Sequence, residues 1–219
     1  MAAIEPGPFG APQTAHDEIY QKLRKRMLEG GFMPGEVISI RHIAREYGIS
    51  PMPAREAMRR LIAEGALKFA DRRTIIVPKV ENKRIRDILT ARSTLERELS
   101  ERAFDNISPL DIAELRRIDD GINQAILDGD VNAYMKGNFE FHFLIYQKAD
   151  SEVLISLVEM LWLQFGPSMR FVFSRWGTSA VAEDHHRQAL EALEQADRAG
   201  FVASIEADIH QGMAFLKDT

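Results

Sequence analysis

The stretch from Glu36 to Lys68, EVISIRHIAREYGISPMPAREAMRRLIAEGALK, constrains the fold more than any other. Ile40 to Tyr47 has the apolar spacing of a short helix, Gly48 supplies a sharp turn, and a second helix starts at once. Ser50 stands where a hydroxyl can accept a bond from a free N–H of the first turn. Pro51 and Pro53 fall within that turn, where a missing N–H costs little. Along the second helix Ala54, Ala57, Met58, Leu61 and Ile62 recur at three-and-four spacing and define a buried face, while Arg55, Arg59 and Arg60 project elsewhere. Two short helices joined by a glycine turn, the second with arginines on its free side, describe a helix-turn-helix whose second helix enters the DNA major groove. An ordinary helical pair with a solvated basic face is the competing reading.

The flanks complete a small domain. His16 to Glu29 is helical, with Ile19, Leu23, Met27 and Leu28 nearly in register and Gly30-Gly31 ending it. Ala66 to Ala70 and Thr74 to Pro78 have strand-like compositions around Asp71-Arg72-Arg73, which predicts a two-stranded wing whose tip puts Arg72 and Arg73 beside a minor groove or a phosphate. A plain hairpin with solvated charges is the bland alternative.

Charge supports a reader joined to something else. Net charge is −5, but up to Pro78 there are 12 Lys plus Arg against 9 Asp plus Glu, and from Lys79 onward 16 against 24. A basic front would grip the phosphate backbone, and an acidic body would be repelled by it. The chain has no cysteine, so disulfides and thiolate metal sites are excluded, which fits a cytoplasmic location. No apolar run approaches membrane-spanning length, and residues 1–13, beginning MAAIEPGPFGAP, read as a disordered tail rather than a signal peptide.

From Glu81 to Lys217 the strand signals stop. Roughly six helices are predicted, Glu81 to Phe104, Pro109 to Asp128, Val131 to Lys148, Glu152 to Arg175, Ala180 to Ala199 and Phe201 to Lys217, with breaks at Gly, Asp, Asn and Ser clusters and at Gly200. Such helices pack as an antiparallel bundle with any ligand site facing inward. The expected fold is therefore mostly α: a winged helix-turn-helix of three helices plus a two-stranded wing over residues 14–80, and an all-α bundle over residues 81–219.

Several polar residues lie on the apolar sides of these helices. His142 is three or four residues from Phe139, Ile145 and Tyr146, with Asn138 one turn earlier; His186 accompanies Ala189, Leu190 and Leu193; His210 stands near Ala207, Met213 and Ala214. A single inward histidine is usually a hydrogen-bonded core residue. Three from separate helices can converge on one ion, since imidazole suits Zn, Ni, Fe and Mn. Arg92 shares a side with Ile88, Leu95 and Leu99, and a buried guanidinium requires an anion. That anion is either Glu96, one turn on, or the carboxylate of a small organic acid held in a clamp.

Two resemblances organise these observations. L-E-G-G-F-M-P-G-E-V-I-S at Leu28 to Ser39, followed by I-A-R-E-Y-G-I-S-P-M-P-A-R-E-A-M-R-R-L-I-A-E-G-A-L, resembles the N-terminal winged helix of the GntR transcription regulators. The resemblance implies DNA contacts by Arg41, Arg45, Arg55 and Arg59, to which Ser50 and Met52 at the opening of the recognition helix and Arg72 and Arg73 at the wing are added. Pro51 replaces the arginine that many relatives carry after the serine, and Thr74 stands near the wing tip where glycine is common. The body resembles the FCD effector-binding domain of the FadR branch, through Ala91 to Glu96, N-F-E-F-H at Asn138 to His142, E-D-H-H-R-Q-A-L-E-A-L at Glu183 to Leu193, and I-E-A-D-I-H at Ile205 to His210. This implies a divalent metal (Zn, Ni or Mn) held by Asn138, His142, His186 and His210, and an effector site made of those four with Arg92. Asn138 occupies the place of the family's aspartate, a weaker neutral ligand.

Together these features describe a homodimeric transcription regulator that is not an enzyme, binds a near-palindromic double-stranded operator and changes its affinity when a small carboxylate occupies the body. Repression is the default expectation from the family. Two other readings compete: a metal-dependent hydrolase built around Asp184-His185 with His142, and an architectural DNA binder with a structural metal.

Overall fold

In the computed structural model, residues 15–176 and 184–216 are described. The N-terminal elements are α1 (Ala15–Leu28), β1 (Val37–Ile38), α2 (Ile40–Glu46), α3 (Pro51–Ala63), β2 (Lys68–Phe69) and β3 (Ile75–Ile76). α1 buries Ile19, Leu23 and Met27 and packs along α3, whose Ala54, Ala57, Met58 and Leu61 are buried as their spacing predicts. Gly48 makes the turn before α3 with a φ of +65°, a backbone conformation that a residue with a Cβ adopts only at a cost. Ser50 occupies the N-cap position of α3, yet its side chain makes no capping bond; the cap that does form is on α2, where Ser39 Oγ accepts from the His42 N–H at 3.0 Å.

The wing has three strands rather than the expected two, in the order β1-β3-β2, all antiparallel, with Ile76 between Val37 and Lys68. β1 is two residues long, too short to leave an alternating pattern in the sequence. The tip is tightened by Asp71, whose carboxylate accepts the N–H groups of Arg73 and Thr74 at 2.7 and 2.8 Å and the Thr74 hydroxyl at 2.8 Å.

The body consists of α4 (Asn82–Ala103), a 3-10 turn (Phe104–Asn106), α5 (Pro109–Asp128), α6 (Val131–Gln147), α7 (Glu152–Phe165), a second 3-10 turn (Gly166–Met169), α8 (Arg170–Trp176), α9 (His185–Glu194) and α10 (Arg198–Leu216). α6 contacts α4, α5 and α8, and α10 contacts α4, α8 and α9. Two boundaries differ from the sequence reading. The single helix expected over 152–175 is broken at Gly166-Pro167, where proline cannot donate to the helical ladder. The break expected at Gly200 lies earlier: α10 begins at Arg198 and the Asp197 carboxylate accepts the Gly200 N–H at 3.0 Å. Residues 180–183 of the expected fifth body helix, like the tail at 1–13, are outside the described residues.

The N-terminal elements are fastened to the body mainly through α7 and the turn after it. Arg24 of α1 pairs with Glu159 at 2.6 Å, Gln164 Nε2 donates to the Glu64 carbonyl at the end of α3 at 3.1 Å, and Arg84 of α4 donates to Gln164 Oε1 at 2.7 Å. Gly166 lies so close to α1 that a Cβ there would sit 3.2 Å from the Met27 carbonyl oxygen.

α5 starts with a full capping box: Ser108 Oγ accepts the Asp111 N–H, and Asp111 accepts the Ser108 N–H at 2.9 Å and an ion pair from Lys148 of the residue after α6 at 2.7 Å. These partners, Lys148 foremost, hold the Asp111 carboxyl at about 2, below its ordinary 3.8. A carboxyl depressed in the folded state stabilises the fold fully above about pH 4 and loses that contribution as pH falls toward 2. Urea denaturation of the wild type and Asp111→Asn should therefore give a stability gap at pH 6 that narrows steadily on acidification below pH 4. A gap independent of pH would refute this role for Asp111.

Candidate metal centre and nucleic-acid interface

Two surfaces concentrate functional chemistry. On the N-terminal elements, Arg41, Arg55 and Arg73 line one groove of about 730 Å³ between α2, the start of α3 and the wing, together with Ser39, Pro51 and Thr74. Arg41, Arg45, Arg55, Arg72 and Arg73 are exposed, and among the described residues none of their guanidinium groups has an ion-pair partner. A cluster of unneutralised guanidinium groups on a helix start and a strand tip suits a phosphate backbone and guanine edges. Ser50 and Met52 are exposed at the same helix start, Met52 at 66%. Arg59 is exposed too, but leans on Glu56 at 3.5 Å. Arg60 has a structural task instead, pairing with Asp17 at 2.9 Å and lying 3.7 Å over the Tyr20 ring.

The second surface is inside the body. His142 and His186 are both buried, their ring centroids 5.3 Å apart, and both present Nε2 to Asp208: His142 Nε2 lies 3.0 Å from Oδ2 and His186 Nε2 3.6 Å from Oδ1. Both Nδ1 atoms point away to other partners. His142 Nδ1 is 3.1 Å from the Tyr146 hydroxyl, and His186 Nδ1 is 3.2 Å from Asp119 Oδ1. His186 stacks on Phe141 at 4.0 Å, and its Nε2 is buried with no hydrogen-bond partner. Asn138, one turn before His142 on α6, is buried and lines the same void, a hollow of about 20 Å³ shared with Asp119, Tyr134, His186 and Asp208. That is room for about one water-sized group.

The electrostatics of this cluster pull in opposite directions. Burial lowers the pKa of His142 despite the neighbouring Asp208, which favours the neutral, ligating imidazole. Burial also opposes charge on His186, but Asp208 and Asp119 outweigh it and raise its pKa. Burial alone would raise the Asp208 carboxyl; His186, His142 and Arg92 overcome it and hold the group far below the usual carboxylate range.

These positions correct parts of the sequence reading. His210 is exposed, with Nε2 3.2 Å from Ser93 Oγ, and is not part of the cluster. Two residues of helix rotate a side chain by about 200°, so Asp208 faces the imidazoles where His210 was expected. Arg92 is buried, but its fork is filled: Nε donates to Glu96 Oε1 at 2.6 Å and Nη2 to Oε2 at 3.1 Å, over the Phe165 ring at 4.2 Å. It does not line the hollow, so the clamp expected for an effector carboxylate is occupied by Glu96. Glu96 accepts two more bonds, from the Tyr146 hydroxyl at 2.5 Å and Trp162 Nε1 at 3.2 Å. Asp184 caps α9 through the Arg187 N–H, and His185 Nδ1 meets Gln188 at 2.9 Å, so this pair does not form the hydrolase centre considered above. Asp119 was legible in principle: it sits beside Ile118 and between Leu115 and Ile122 on the apolar stripe of α5.

Comparison with known families settles the class. Residues 15–77 match the model described as bacterial regulatory proteins, gntR family, and residues 87–211 match the FCD domain. The chain belongs to the GntR family and carries an FCD domain. The HTH-type transcriptional regulator McbR of Escherichia coli is 26% identical over 201 residues, 91% of each chain, and the solved structure of E. coli McbR/YncC superposes with a TM-score of 0.84 over 94% of this chain and 98% of that one. The gluconate operon transcriptional repressor of Bacillus subtilis is 26% identical over 210 residues, 91% of this chain and 82% of the relative. This GntR-family protein is thus a transcriptional regulator, and the relatives named are regulators rather than enzymes. No helix among the described residues is long and apolar enough to cross a membrane.

The buried Arg92–Glu96 pair carries a clear energetic signature. Truncating one member leaves the other charged and unpaired in the core, which costs about 3–5 kcal/mol, whereas replacing both by apolar residues of similar volume costs far less. Glu96→Ala is expected to lose about that much stability in chemical denaturation, and Arg92→Met combined with Glu96→Leu to lose less than either single change. A double variant as unstable as the sum of the singles would contradict the assignment.

Proposed function

We propose that this regulator is a homodimeric, effector-responsive repressor, located in the cytoplasm, whose body holds a divalent ion at His142, His186, Asp208 and Asn138. The observation that carries the reading is the pairing of tied Nδ1 atoms with inward Nε2 atoms. Imidazoles that ligate a metal through one nitrogen characteristically donate from the other to a carboxylate or another acceptor. The residues fit such an ion: two inward imidazole nitrogens, that of His142 favoured neutral by burial and that of His186 orphaned, a carboxylate held ionised, and a buried amide. The 3.0 and 3.6 Å separations from Asp208 bracket the roughly 3.3 Å ligand–ligand edge of a tetrahedral shell with bonds of about 2.0–2.1 Å. With one carboxylate and two imidazoles, Zn, Mn and Ni are all suited.

A bound ion would supply positive charge and an open position for the carboxylate of a small organic acid. The hollow holds only about one water-sized group in this form, so entry of the acid has to move α5, α6, α9 or α10. α7 connects such movement to the reader. Trp162 touches Glu96, and two residues on Gln164 holds the end of α3, while Glu159 holds α1. An effector changes operator affinity only through different affinities for two arrangements of these parts.

For the reader we propose a front domain over 14–80 that reads a near-palindromic operator as a twofold pair, with Arg41, Arg45, Ser50, Met52, Arg55, Arg59, Arg72 and Arg73 facing DNA, and a body over 81–219 that senses and dimerises. Val153, Leu157 and Met160, exposed at i, i+4 and i+7 along α7, give a second copy an apolar stripe to cover. Repression is proposed by analogy with the gluconate operon transcriptional repressor of B. subtilis.

The test uses full-length protein and duplexes selected by it from a random pool, read by fluorescence anisotropy. Arg55→Ala should weaken the selected duplex about 10–100-fold, the loss expected for one arginine–guanine pair, and relax sequence preference at one position per half-site. With Zn or Mn present, at least one acid in a panel of small carboxylates should shift operator affinity fivefold or more. Selection of no sequence, or an unchanged affinity across the panel, would overturn the reading.

A further inference from the structure

The opening turn of α3 differs chemically from the arginine-bearing face behind it. A helix start leaves four backbone N–H groups free, here those of residues 50–53, and Pro51 and Pro53 have none to offer. Between the two prolines stands Met52, 66% exposed and so not spent on the domain's own core. At about 100° per residue it lies on the side of α3 opposite the buried Ala54, Met58 and Leu61, in one stripe with Arg55 and Arg59. The tip of the recognition helix is thus apolar and poor in donors, and the first cation of α3 comes only at Arg55. Such a tip gains little from phosphate. In the major groove, the apolar group that base edges present is the 5-methyl of thymine.

From this arrangement we infer that Met52 reads the 5-methyl group of a thymine, so that each half-site of the operator carries a thymine one or two base pairs from the guanine contacted by Arg55. The inference rests on the placement of α3 on DNA proposed above and adds the base that its tip selects. Met52 and Arg55 are i, i+3 neighbours, whose Cβ atoms lie about 5–6 Å apart, and base pairs stack every ~3.4 Å, which sets the spacing. A thioether on three rotatable bonds can settle over a methyl that a β-branched side chain would meet at one fixed angle. Val37 is also exposed, at 64%, and lines the groove beside Pro51 and Arg55. It belongs to the wing sheet, however, whose tip faces phosphate or the minor groove, where thymine shows only its O2.

Full-length protein and the duplexes selected from the random pool test this. Replacing a thymine by 2′-deoxyuridine deletes the methyl and leaves every hydrogen-bonding group of the base in place. In fluorescence anisotropy the wild type should lose about fourfold in affinity for each methyl removed at the Met52 position, the weight of one buried carbon, and about 15-fold when both half-sites are changed. Met52 is exposed, so its truncation leaves the core intact. Met52→Ala should bind thymine and deoxyuridine duplexes equally, while Met52→Leu and Val37→Ala should keep the preference. A half-site without thymine within two base pairs of the Arg55 guanine overturns the inference, as does wild-type indifference to deoxyuridine or a methyl preference that survives Met52→Ala. Methyl indifference in the wild type alongside lost sequence preference in Arg55→Ala strikes this inference and leaves the placement of α3 standing. An Arg55→Ala variant that binds and selects as wild type does removes that placement, and the role of Met52 with it.

Discussion

A buried carboxylate facing two imidazole nitrogens in a helical bundle needs positive charge beside it, either a proton on a ring or a cation among the three groups. Asp208 is in that position, and the outward nitrogens of His142 and His186 are already committed to Tyr146 and Asp119. Desolvation works against charging His142 in particular. The surrounding residues behave as though built to keep the two Nε2 atoms aimed inward: Phe141 stacks under one ring, while Tyr146 and Trp162 flank the other. Close packing around both rings leaves them little room to turn.

That centre sits where its movements would be felt elsewhere. α4 carries Arg92 and Glu96, and it leaves the wing through Lys79 and Val80; α7 carries Trp162 into the cluster's support and Gln164 to the end of the recognition helix. The seam between body and reader includes an Arg24–Glu159 pair and side-chain to backbone bonds from Gln164 and Arg170, beside the close approach of Gly166 to α1. The reader needs no help from the body to present Arg41, Arg45, Arg55, Arg72 and Arg73, whose guanidinium groups have no ion-pair partner among the described residues.

The sequence was most informative where local rules dominate. The helix-turn-helix has a glycine turn, proline-rich first turn and apolar stripe that all point the same way, and α5 announces itself with Ser108, Pro109 and Asp111. It was least informative where a side chain's direction within a helix decides its role. His210 and Asp208 are two positions apart on α10, and residue type argued for the histidine, while the buried stripe of Ile205, Ile209 and Met213 runs midway between the two and could not choose the aspartate. Arg92 was rightly placed on an inward face, but no spacing rule could decide between Glu96 and an external acid as its partner. The third strand escaped notice because two residues carry no periodicity.

The account depends most on a cation between His142, His186 and Asp208. Electron paramagnetic resonance of free Mn ions during titration of chelator-treated protein measures this directly, because bound Mn loses its sharp aqueous signal. The account predicts saturation at one ion per chain, abolished in His186→Ala and in Asp208→Ala while both variants keep wild-type helix content. Full-strength aqueous signal at every protein concentration, with Zn and Ni failing to compete because nothing is bound, would contradict it.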